Sequence, residues 1–415
     1  MPREQESRET AEAVARRSYG RLVAILAART RDVVGAEDAL SEAFAKALVD
    51  WPGSGVPRSP EAWLLTVARN RMIDNDRRRR GAERAVDHLM LAAEELAASV
   101  AARTPIPDDR LGLMFACAHP AIDPNVRAPL MLQTILGLDA ATIASAFLVS
   151  PAAMGQRLAR AKAKIRVAGI PFRVPDSGDL AGRLDAVLAA IYAAFAEGWS
   201  DPAGTEAKRR DLADEGIWLG RLVVSLLPRE PEALGLLALM LHSEARRGAR
   251  RNARGDYVPL AEQDPALWDA ALIDEAEALL LRASRMAMIG RYQLEAAIQS
   301  AHAVRRRSGC ADWRAIEGLY DALGAITGSP VVAVNRAVAL AETAGAAAGL
   351  AALDEAARDA RLDDYQPYWA ARAGLLARAG DGAAADGAYE RAIGLETDPA
   401  VRRFLQERRA ALWRA

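Results

Sequence analysis

Residues 137–165 read GLDAATIASAFLVSPAAMGQRLARAKAKI, and this stretch predicts two helices joined by a tight turn. Asp139 is a good N-cap for a helix over residues 140–147, because its carboxylate can accept hydrogen bonds from the free backbone N–H groups of the first turn. Ser150 followed by Pro151 predicts a second helix start, with a capping hydroxyl and a proline at the first helical position. A short helix, a tight turn and a capped second helix together have the spacing of a helix-turn-helix motif.

The second of these helices has one apolar stripe and otherwise basic faces. The stripe recurs at helical spacing and consists of Met154, Leu158, Ala161 and Ile165. The remaining faces carry polar and cationic side chains without an acid: Gln156, Arg157, Arg160, Lys162, Lys164 and Arg166. Gln and Arg can make paired hydrogen bonds to base edges in the major groove, and further cations can contact phosphates. A solvated basic surface helix is the alternative, but the upstream helix and the capped turn favour a DNA-reading helix.

Residues 35–48, GAEDALSEAFAKAL, predict a helix with an acidic face. Asp38 and Glu42 lie four residues apart and share that face, while Leu40 and Phe44 point to another. Like charges at this spacing repel each other mildly, and a basic partner surface would relieve the repulsion. An ordinary solvated acidic face is the simpler interpretation when this segment is considered alone.

A loop rich in glycine and proline follows, and then a basic helix. The loop is predicted over residues 51–57, because two glycines and two prolines within seven residues interrupt a helix. Pro60 predicts the start of a helix capped by Ser59. That helix ends in four arginines, residues 77–80, which can neutralise several phosphates or form a plain basic patch. Trp63, near the start of the helix, is by itself most simply a core residue.

The composition predicts an all-α globular protein. The 415 residues are 51% apolar and 5% aromatic, with prominent Ala and Leu, which are strong helix formers. The 54 Lys and Arg residues nearly balance the 55 Asp and Glu residues, so the formal net charge is −1. That sum alone argues against a nucleic-acid partner, but charge acts by region, and the two basic helices are strongly cationic.

Several function classes lack their sequence signatures. Cys117 and Cys310 lie far apart, which excludes a disulfide framework and a CxxC metal or redox motif. No P-loop, GxGxxG or HExxH motif occurs, and the four histidines are scattered, so we expect no enzyme, no cofactor and no metal site. No stretch reaches the roughly 18 uninterrupted apolar residues of a membrane span. Because the N-terminus is polar as well, we expect a cytoplasmic protein without a membrane partner.

The C-terminal half has helical patterning with internal repeats. Residues 293–330, 330–353 and 368–399 repeat similar small, aromatic and proline positions, close to the roughly 34-residue period of tetratricopeptide repeats (TPR). The last copy matches that pattern best. A cluster of Gly and Pro at residues 169–178 predicts a domain boundary before this half.

Two motifs, in this order, resemble those of sigma-70-type RNA polymerase sigma factors of the extracytoplasmic-function (ECF) group. Residues 36–48 and 60–80 resemble region two, and residues 137–165 resemble the helix-turn-helix of region four. The long C-terminal extension resembles that of an ECF subgroup with a TPR-type domain. Two features depart from the family pattern. Position 155 is Gly where the family often has Lys, and the sequence of residues 108–124 differs from the usual start of region four.

The resemblance implies an all-α chain with two small sigma domains followed by a helical, TPR-like solenoid. Its expected parts are region two at residues 1–85, a linker at 86–107, region four at 108–168, a linker at 169–179, a helical domain at 180–290 and TPR-like repeats at 291–415.

The resemblance also implies roles for individual residues. Docking on the clamp of the polymerase β′ subunit falls to Asp38, Leu40, Glu42 and Phe44. The loop over residues 51–59 matches the loop that captures a flipped base of the minus-ten promoter element. Contacts to the minus-ten element fall to Trp63, Arg69, Asn70, Asp74, Arg77 and Arg78. Contacts to the minus-thirty-five element fall to Ser150, Gln156, Arg157, Arg160, Lys162 and Lys164.

The predicted function is that of a transcription initiation factor. It binds core RNA polymerase through β′ and β, recognises promoter DNA and helps to melt it, while the C-terminal domain regulates activity or binds a protein or peptide partner. The alternative is a helix-turn-helix transcriptional regulator with a repeat-type sensor domain that is not a polymerase subunit. The acidic face with Asp38 and Glu42 and the arginine-rich helix favour the sigma factor, because a simple regulator needs only one DNA-reading domain.

Overall fold

The computed structural model describes residues 2–30, 32–80, 108–168, 175, 177–199 and 207–413, and it confirms the all-α prediction. No β-strand occurs within these residues, and a lone antiparallel bridge joins Arg251 and Tyr257. The chain divides into two compact units, Met1–Glu197 and Gly198–Ala415. The sequence predicts that the C-terminal part begins after the linker at residue 179. In the structure the first unit extends to Glu197 and includes most of the helix Leu184–Trp199.

The first three helices pack against one another. They are α1 (Pro2–Thr30), α2 (Val33–Ser54) and α3 (Pro60–Arg80). Small and branched apolar side chains fill the space between them, including Leu22, Leu26, Ala36, Ala39, Ala43, Ala47, Leu64 and Ala68. The alanines on one face of α2 let the helices approach closely, because they occupy little volume and cost no side-chain entropy.

The loop predicted over residues 51–57 is shorter than expected. Helix α2 continues through Pro52 to Ser54, and Gly55 ends it with a φ of 85° and an N–H bond to the Trp51 carbonyl of 2.9 Å. A proline in the last turn removes only one intrahelical bond, and the Trp51 side chain, which is fully buried, anchors that turn in the core. The irregular segment is therefore 55–59, and α3 begins at Pro60 as predicted.

Four further helices complete most of the first unit. They are α4 (Asp109–Cys117), α5 (Pro124–Thr134), α6 (Ala140–Ala146) and α7 (Pro151–Ala168). Asp108 caps α4 by accepting from the backbone N–H groups of Arg110 and Leu111 at 2.8 and 3.0 Å, although this stretch departs from the family pattern. The linker predicted at residues 86–107 lies outside the described residues. Helix α4 also packs on α1.

The predicted caps of α6 and α7 are confirmed. Asp139 Oδ1 accepts from the N–H groups of Ala141 and Thr142 at 2.9 and 2.8 Å, and Ser150 Oγ accepts from Ala153 N–H at 3.3 Å. The turn between the helices is tight because Leu148 adopts a left-handed φ of 52°. This reverses the chain so that α6 and α7 pack on each other.

Helix α8 (Leu184–Trp199) crosses the boundary between the two units. The second unit continues with α9 (Ala207–Leu226), α10 (Pro231–Glu244), α11 (Ala270–Ser284), α12 (Arg291–Ala303), α13 (Arg305–Ser308), α14 (Trp313–Thr327), α15 (Pro330–Ala344), α16 (Ala346–Ala356), α17 (Gln366–Arg378), α18 (Gly382–Leu395) and α19 (Pro399–Ala411). From α14 onwards each helix packs against the next one in the chain, which gives a solenoid-like arrangement.

Small residues mark the closest helix contacts of the second unit. A Cβ on Gly235 in α10 would lie 2.6 Å from the backbone nitrogen of Gln293 in α12, so a larger residue could not be accommodated there. Three apolar clusters follow along the helices, centred on Ile316, Leu353 and Tyr389. Because each cluster joins neighbouring helices, the core of this unit extends along the chain, as in a repeat protein.

Candidate nucleic-acid interface

The acidic face of α2 is exposed. Asp38 and Glu42 both lie at the surface, and Glu42 Oε2 is 3.2 Å from Arg71 Nε of α3, with both side chains about half exposed. The other two residues assigned to polymerase docking are less accessible. Leu40 is fully buried in the core between the helices, and Phe44 is half-buried and stacks on Tyr19 with ring centroids 6.2 Å apart.

Leu40 therefore cannot contact a partner directly in this conformation, which corrects its assignment as a docking residue. It lies two residues from Asp38 and two from Glu42, which places it on the opposite side of a helix with 3.6 residues per turn. Its burial fixes the rotation of α2 and so keeps both acids at the surface.

Helix α3 exposes a polar stripe. Arg69, Asn70 and Asp74 are exposed, and Asn70 and Asp74 lie one turn apart on the same face. Trp63 is half-buried and meets the fully buried Trp51 edge to face, with centroids 5.5 Å apart. Its main role here is packing between α2 and α3. The helix backbone reaches Arg80, but the side chains of Arg77 and Arg78 lie outside the described ones.

Helix α7 buries its apolar stripe and exposes most of its basic face. Met154, Leu158 and Ile165 are 1%, 2% and 5% exposed. The exposed side chains of the predicted reading surface are Gln156, Arg157, Arg160 and Lys164. Arg160 Nη2 lies 3.4 Å from Gln156 Oε1, so these two side chains are held side by side. Ser150 is exposed as well, although its hydroxyl is engaged in the cap.

Lys162 departs from the rest of that surface. Its Nζ donates to both carboxylate oxygens of Glu37 on α2 at 2.7 Å, and the two side chains are only 20% and 16% exposed. The expectation that Lys162 contacts DNA is thus not met in this conformation, because its charge is already neutralised within the chain. Lys162 lies between the buried and the exposed faces of α7. The position of α2 decides whether its side chain is exposed to solvent or paired with Glu37.

Sequence reasoning missed three charged residues that organise this unit. Glu37 holds Lys162, Arg71 neutralises Glu42, and Arg183 donates through Nη1 to the Phe115 carbonyl at 3.1 Å while its side chain is buried. Arg71 has a sequence signal, because it lies in the basic helix beside Arg69. Glu37 and Arg183 have none, because their partners are distant in the chain.

Burial sets the ionisation of Cys117 and of two of the described histidines. Cys117 is fully buried, and burial raises the pKa of its thiol, with the nearby Glu37 carboxylate adding to the effect. Burial lowers the pKa of His242 and of His302 to about 4, so both are neutral at pH 7. Within the part of the chain that the structure describes, no three His, Cys, Asp or Glu residues group to hold a metal ion.

Among the residues that the structure describes, no helix combines the length and the apolar character needed to cross a bilayer.

Comparisons with known proteins identify the first three helices. Residues 14–82 match sigma-70 region 2. The chain therefore contains a sigma-70 region 2. It is 42% identical over 375 residues to an uncharacterized protein of Rhizobium meliloti (strain 1021), an alignment that covers 89% of this chain and 88% of that relative. No solved structure matches it.

A second match lies beyond the region 2 part of the chain. Residues 183–284 match DUF6596, a family of unknown function, which fits an extension beyond the sigma-70 part. The region 2 match covers most of α1 together with α2 and α3, the helices that carry the acidic face and the polar stripe. A sigma-70 region 2 implies binding to core RNA polymerase and to promoter DNA, and so a role in transcription initiation.

Proposed function

We propose that this protein is an ECF-type sigma factor that binds core RNA polymerase through α2, and promoter DNA through α3 and α7. The observation that carries the proposal is the exposure of two unlike surfaces in one unit. Asp38 and Glu42 form an acidic face within the region 2 match, and Gln156, Arg157, Arg160 and Lys164 form a basic face on a capped helix. A protein that bridges a polymerase and DNA needs both.

The polymerase contact is assigned to Asp38 and Glu42, with Phe44 at the edge of the same surface. Arg71 partly balances Glu42, so a basic partner must compete with it for the carboxylate. Exposed ion pairs of this kind contribute little to stability, and this competition therefore costs little. Asp38 and Glu42 remain close enough on the helix to meet one cationic patch together.

The DNA contacts are assigned to two helices. On α3, Arg69, Asn70 and Asp74 face the minus-ten element, and Arg77 and Arg78 extend that surface. On α7, Gln156, Arg157 and Arg160 have the chemistry for base edges of the minus-thirty-five element, and Lys164 has the chemistry for phosphate. We further propose that the irregular segment 55–59, which is shorter than the sequence indicates, captures the flipped base, and that polymerase binding offsets the cost of unstacking it.

The polymerase assignment is tested by reversing the acidic charges. Full-length protein with Asp38→Lys and Glu42→Lys is expected to lose co-purification with core polymerase and run-off transcription from the promoter upstream of its own gene. Lys46→Glu on the same helix is the matched control, because Lys46 is exposed and its partner Asp50 lies one turn away. Retained polymerase binding by the doubly reversed protein would instead favour a helix-turn-helix regulator that is not a polymerase subunit.

The solenoid-like second unit is proposed to be a TPR-like domain that controls polymerase access or binds a protein or peptide partner. Its support is the stacking of successive helices from α14 to α19 around a core that extends along the chain. Such stacks present elongated binding surfaces. The DUF6596 match covers residues before this stack, so the stack and that family together account for most of the extension.

A further inference from the structure

Residues 251–263 form an irregular segment between α10 and α11, which we call the strap. An antiparallel bridge between Arg251 and Tyr257 and a turn at Gly255, which has a φ of 81°, give its first half the form of a short hairpin. None of residues 251–262 is fully buried, whereas α10 and α11 each bury a row of apolar side chains. Most of the strap therefore lies on the surface of the second unit.

Two carboxylates of the strap contact the last helix of the chain. The Asp256 carboxylate accepts a hydrogen bond from Arg403 Nη1 at 3.0 Å, across 147 positions of sequence. Glu262 is bound in the same way by Arg408, which lies further along α19. The strap thus presents its acids to a basic surface of α19.

An aromatic contact and a second ion pair complete this surface. Tyr257 meets Phe404 edge to face with ring centroids 5.5 Å apart, and the guanidinium carbon of Arg408 lies 5.0 Å from the centre of the Phe404 ring. At the start of the helix, Arg251 Nη2 donates to Asp398 Oδ2 at 2.5 Å, and the two side chains are only 12% and 20% exposed. This less exposed pair fixes the start of the strap beside the start of α19.

The far end of the strap is held through its backbone. Arg305 of α13 donates through Nη1 to the Leu260 carbonyl at 2.8 Å and through Nη2 to the Gln263 carbonyl. Glu262 and Gln263 are neighbours in the chain, and they contact Arg408 and Arg305. The two arginines, which belong to α19 and α13, therefore lie beside the same short stretch of extended chain.

These contacts are of the kind that a bound peptide makes. The strap presents two carboxylates, one aromatic ring and two backbone carbonyls, and three arginines and Phe404 receive them. Hydrogen bonds from arginine to carboxylates are charge-assisted, and the planar guanidinium group orients its partner. A segment of another protein with the same groups could make every one of these contacts.

The contacts between the strap and α19 are weak compared with those of a core element. The four side chains of the Asp256–Arg403 and Glu262–Arg408 pairs are between 39% and 56% exposed, and exposed ion pairs contribute little to stability. Segments with few buried apolar contacts open locally at a low cost in free energy. A peptide in solution can therefore compete with the strap.

We infer that Arg305, Arg403, Phe404 and Arg408 form a docking site for an extended acidic segment of a partner protein, and that the strap occupies this site as an internal ligand. The partner segment carries an acid followed by an aromatic residue, with a second acid further along, as residues 256–262 do. The inference rests on the proposed role of the second unit in binding a protein or peptide partner, and it specifies the site and the chemistry of that partner.

The test measures binding of a fluorescein-labelled peptide with the sequence of residues 254–264 to the full-length protein by fluorescence anisotropy. Asp256→Asn with Glu262→Gln weakens the strap and leaves α19 unchanged. We expect this variant to bind the peptide at least tenfold more tightly than the unmodified protein, because the internal ligand competes less. Glu355→Gln with Asp364→Asn is the matched control with unchanged Kd, since both are exposed acids of the same unit that pair with other arginines.

Binding is also expected to depend on the arginines of α19. Arg403→Gln and Arg408→Gln, added to the variant with the weakened strap, should raise the Kd for the peptide at least tenfold. A peptide in which amides replace the acids that correspond to Asp256 and Glu262 should bind more weakly by a similar factor. Higher ionic strength should weaken binding of the original peptide, because salt screens exposed ion pairs.

Two results would overturn the inference. One is the absence of peptide binding by the variant with the weakened strap when circular dichroism shows it to be folded. The other is an unchanged Kd after substitution of Arg403 and Arg408.

A measurement on the unmodified protein needs no variant to fold. With the peptide in large excess, amide hydrogen exchange of residues 256–262 should become faster, and unchanged exchange would contradict displacement of the strap. Run-off transcription by the same proteins keeps the two proposals apart. Loss of transcription with retained peptide binding contradicts the sigma-factor role alone, and the reverse result contradicts the docking site alone.

Discussion

At the scale of single residues, burial separates charges that the sequence makes look alike. Lys162 and Lys164 are neighbours in one basic run, yet Lys162 is bound to Glu37 while Lys164 is exposed. A part-buried ion pair with two short hydrogen bonds is stronger than a surface pair, because solvent screens it less. Its loss also leaves the partner charge desolvated without compensation.

Lys162→Met is therefore expected to destabilise the first unit by about 1–3 kcal/mol, since Glu37 is left part-buried and unpaired. Urea unfolding followed by circular dichroism measures the change. Lys164→Met is the matched control, expected to stay within about 0.5 kcal/mol of the unmodified protein. The double variant Glu37→Gln with Lys162→Met should recover part of the loss. Equal effects of the two lysine substitutions would show that the pair does not contribute.

At the scale of elements, each helix was defined by its caps and its apolar stripe, but its accessible face depended on its neighbours. Helix α7 begins at Pro151 and buries Met154, Leu158 and Ile165, as the pattern predicts. Helix α2 did not end where its composition indicates, because the burial of Trp51 holds the last turn in place despite Pro52. Capping residues therefore predicted where helices begin better than Pro52 predicted where α2 ends.

The exposed side chains of α7 lead to a DNA-binding prediction. Arg157→Ala and Arg160→Ala should each weaken promoter binding by holoenzyme by on the order of 1–3 kcal/mol if they contact base edges. Lys164→Ala serves as the comparison. The loss of a phosphate contact weakens binding to all DNA sequences alike and lowers the salt dependence of binding by about one in slope. Gel shifts with promoter and scrambled DNA at several salt concentrations distinguish the two. Unchanged affinity in both arginine variants would remove α7 from the interface.

At the scale of the whole molecule, the net charge of −1 is an average over unlike regions. The first unit combines an acidic face on α2 with basic surfaces elsewhere, and the second unit balances its outer arginines with acids. The sum accordingly carries no information about partners. The division at Glu197 also shows where the chain can be shortened without cutting the first unit.

A truncation after Glu197 tests the regulatory role of the second unit. We expect promoter-directed run-off transcription or core polymerase affinity to differ from that of the full chain, because the proposed control of polymerase access is removed. This end point keeps Arg183 and its bond to the Phe115 carbonyl, which an end point before the Gly and Pro cluster would delete. Circular dichroism checks that the shortened protein is folded. Identical transcription and identical polymerase affinity would contradict a regulatory role.

The sequence alone determined the helical class, the caps at Asp139 and Ser150, the apolar stripe of α7 and the acidic face of α2. These features depend on local spacing, which the sequence displays directly. The exposure of the residues assigned to polymerase docking was only partly predictable. Asp38 and Glu42 are exposed as expected, but Leu40 lies in the core, and the difference arises from helices that pack on α2 from distant parts of the chain.

Only the tertiary structure decided which charged groups are free to act. Lys162 is neutralised by Glu37, a residue 125 positions away, whereas Lys164 on the same helix is exposed. The physical reason is that solvation and pairing depend on distances in space, whereas helix formation depends on neighbours along the chain. The sequence therefore specified the elements and their family, and the packing of those elements specified their available surfaces.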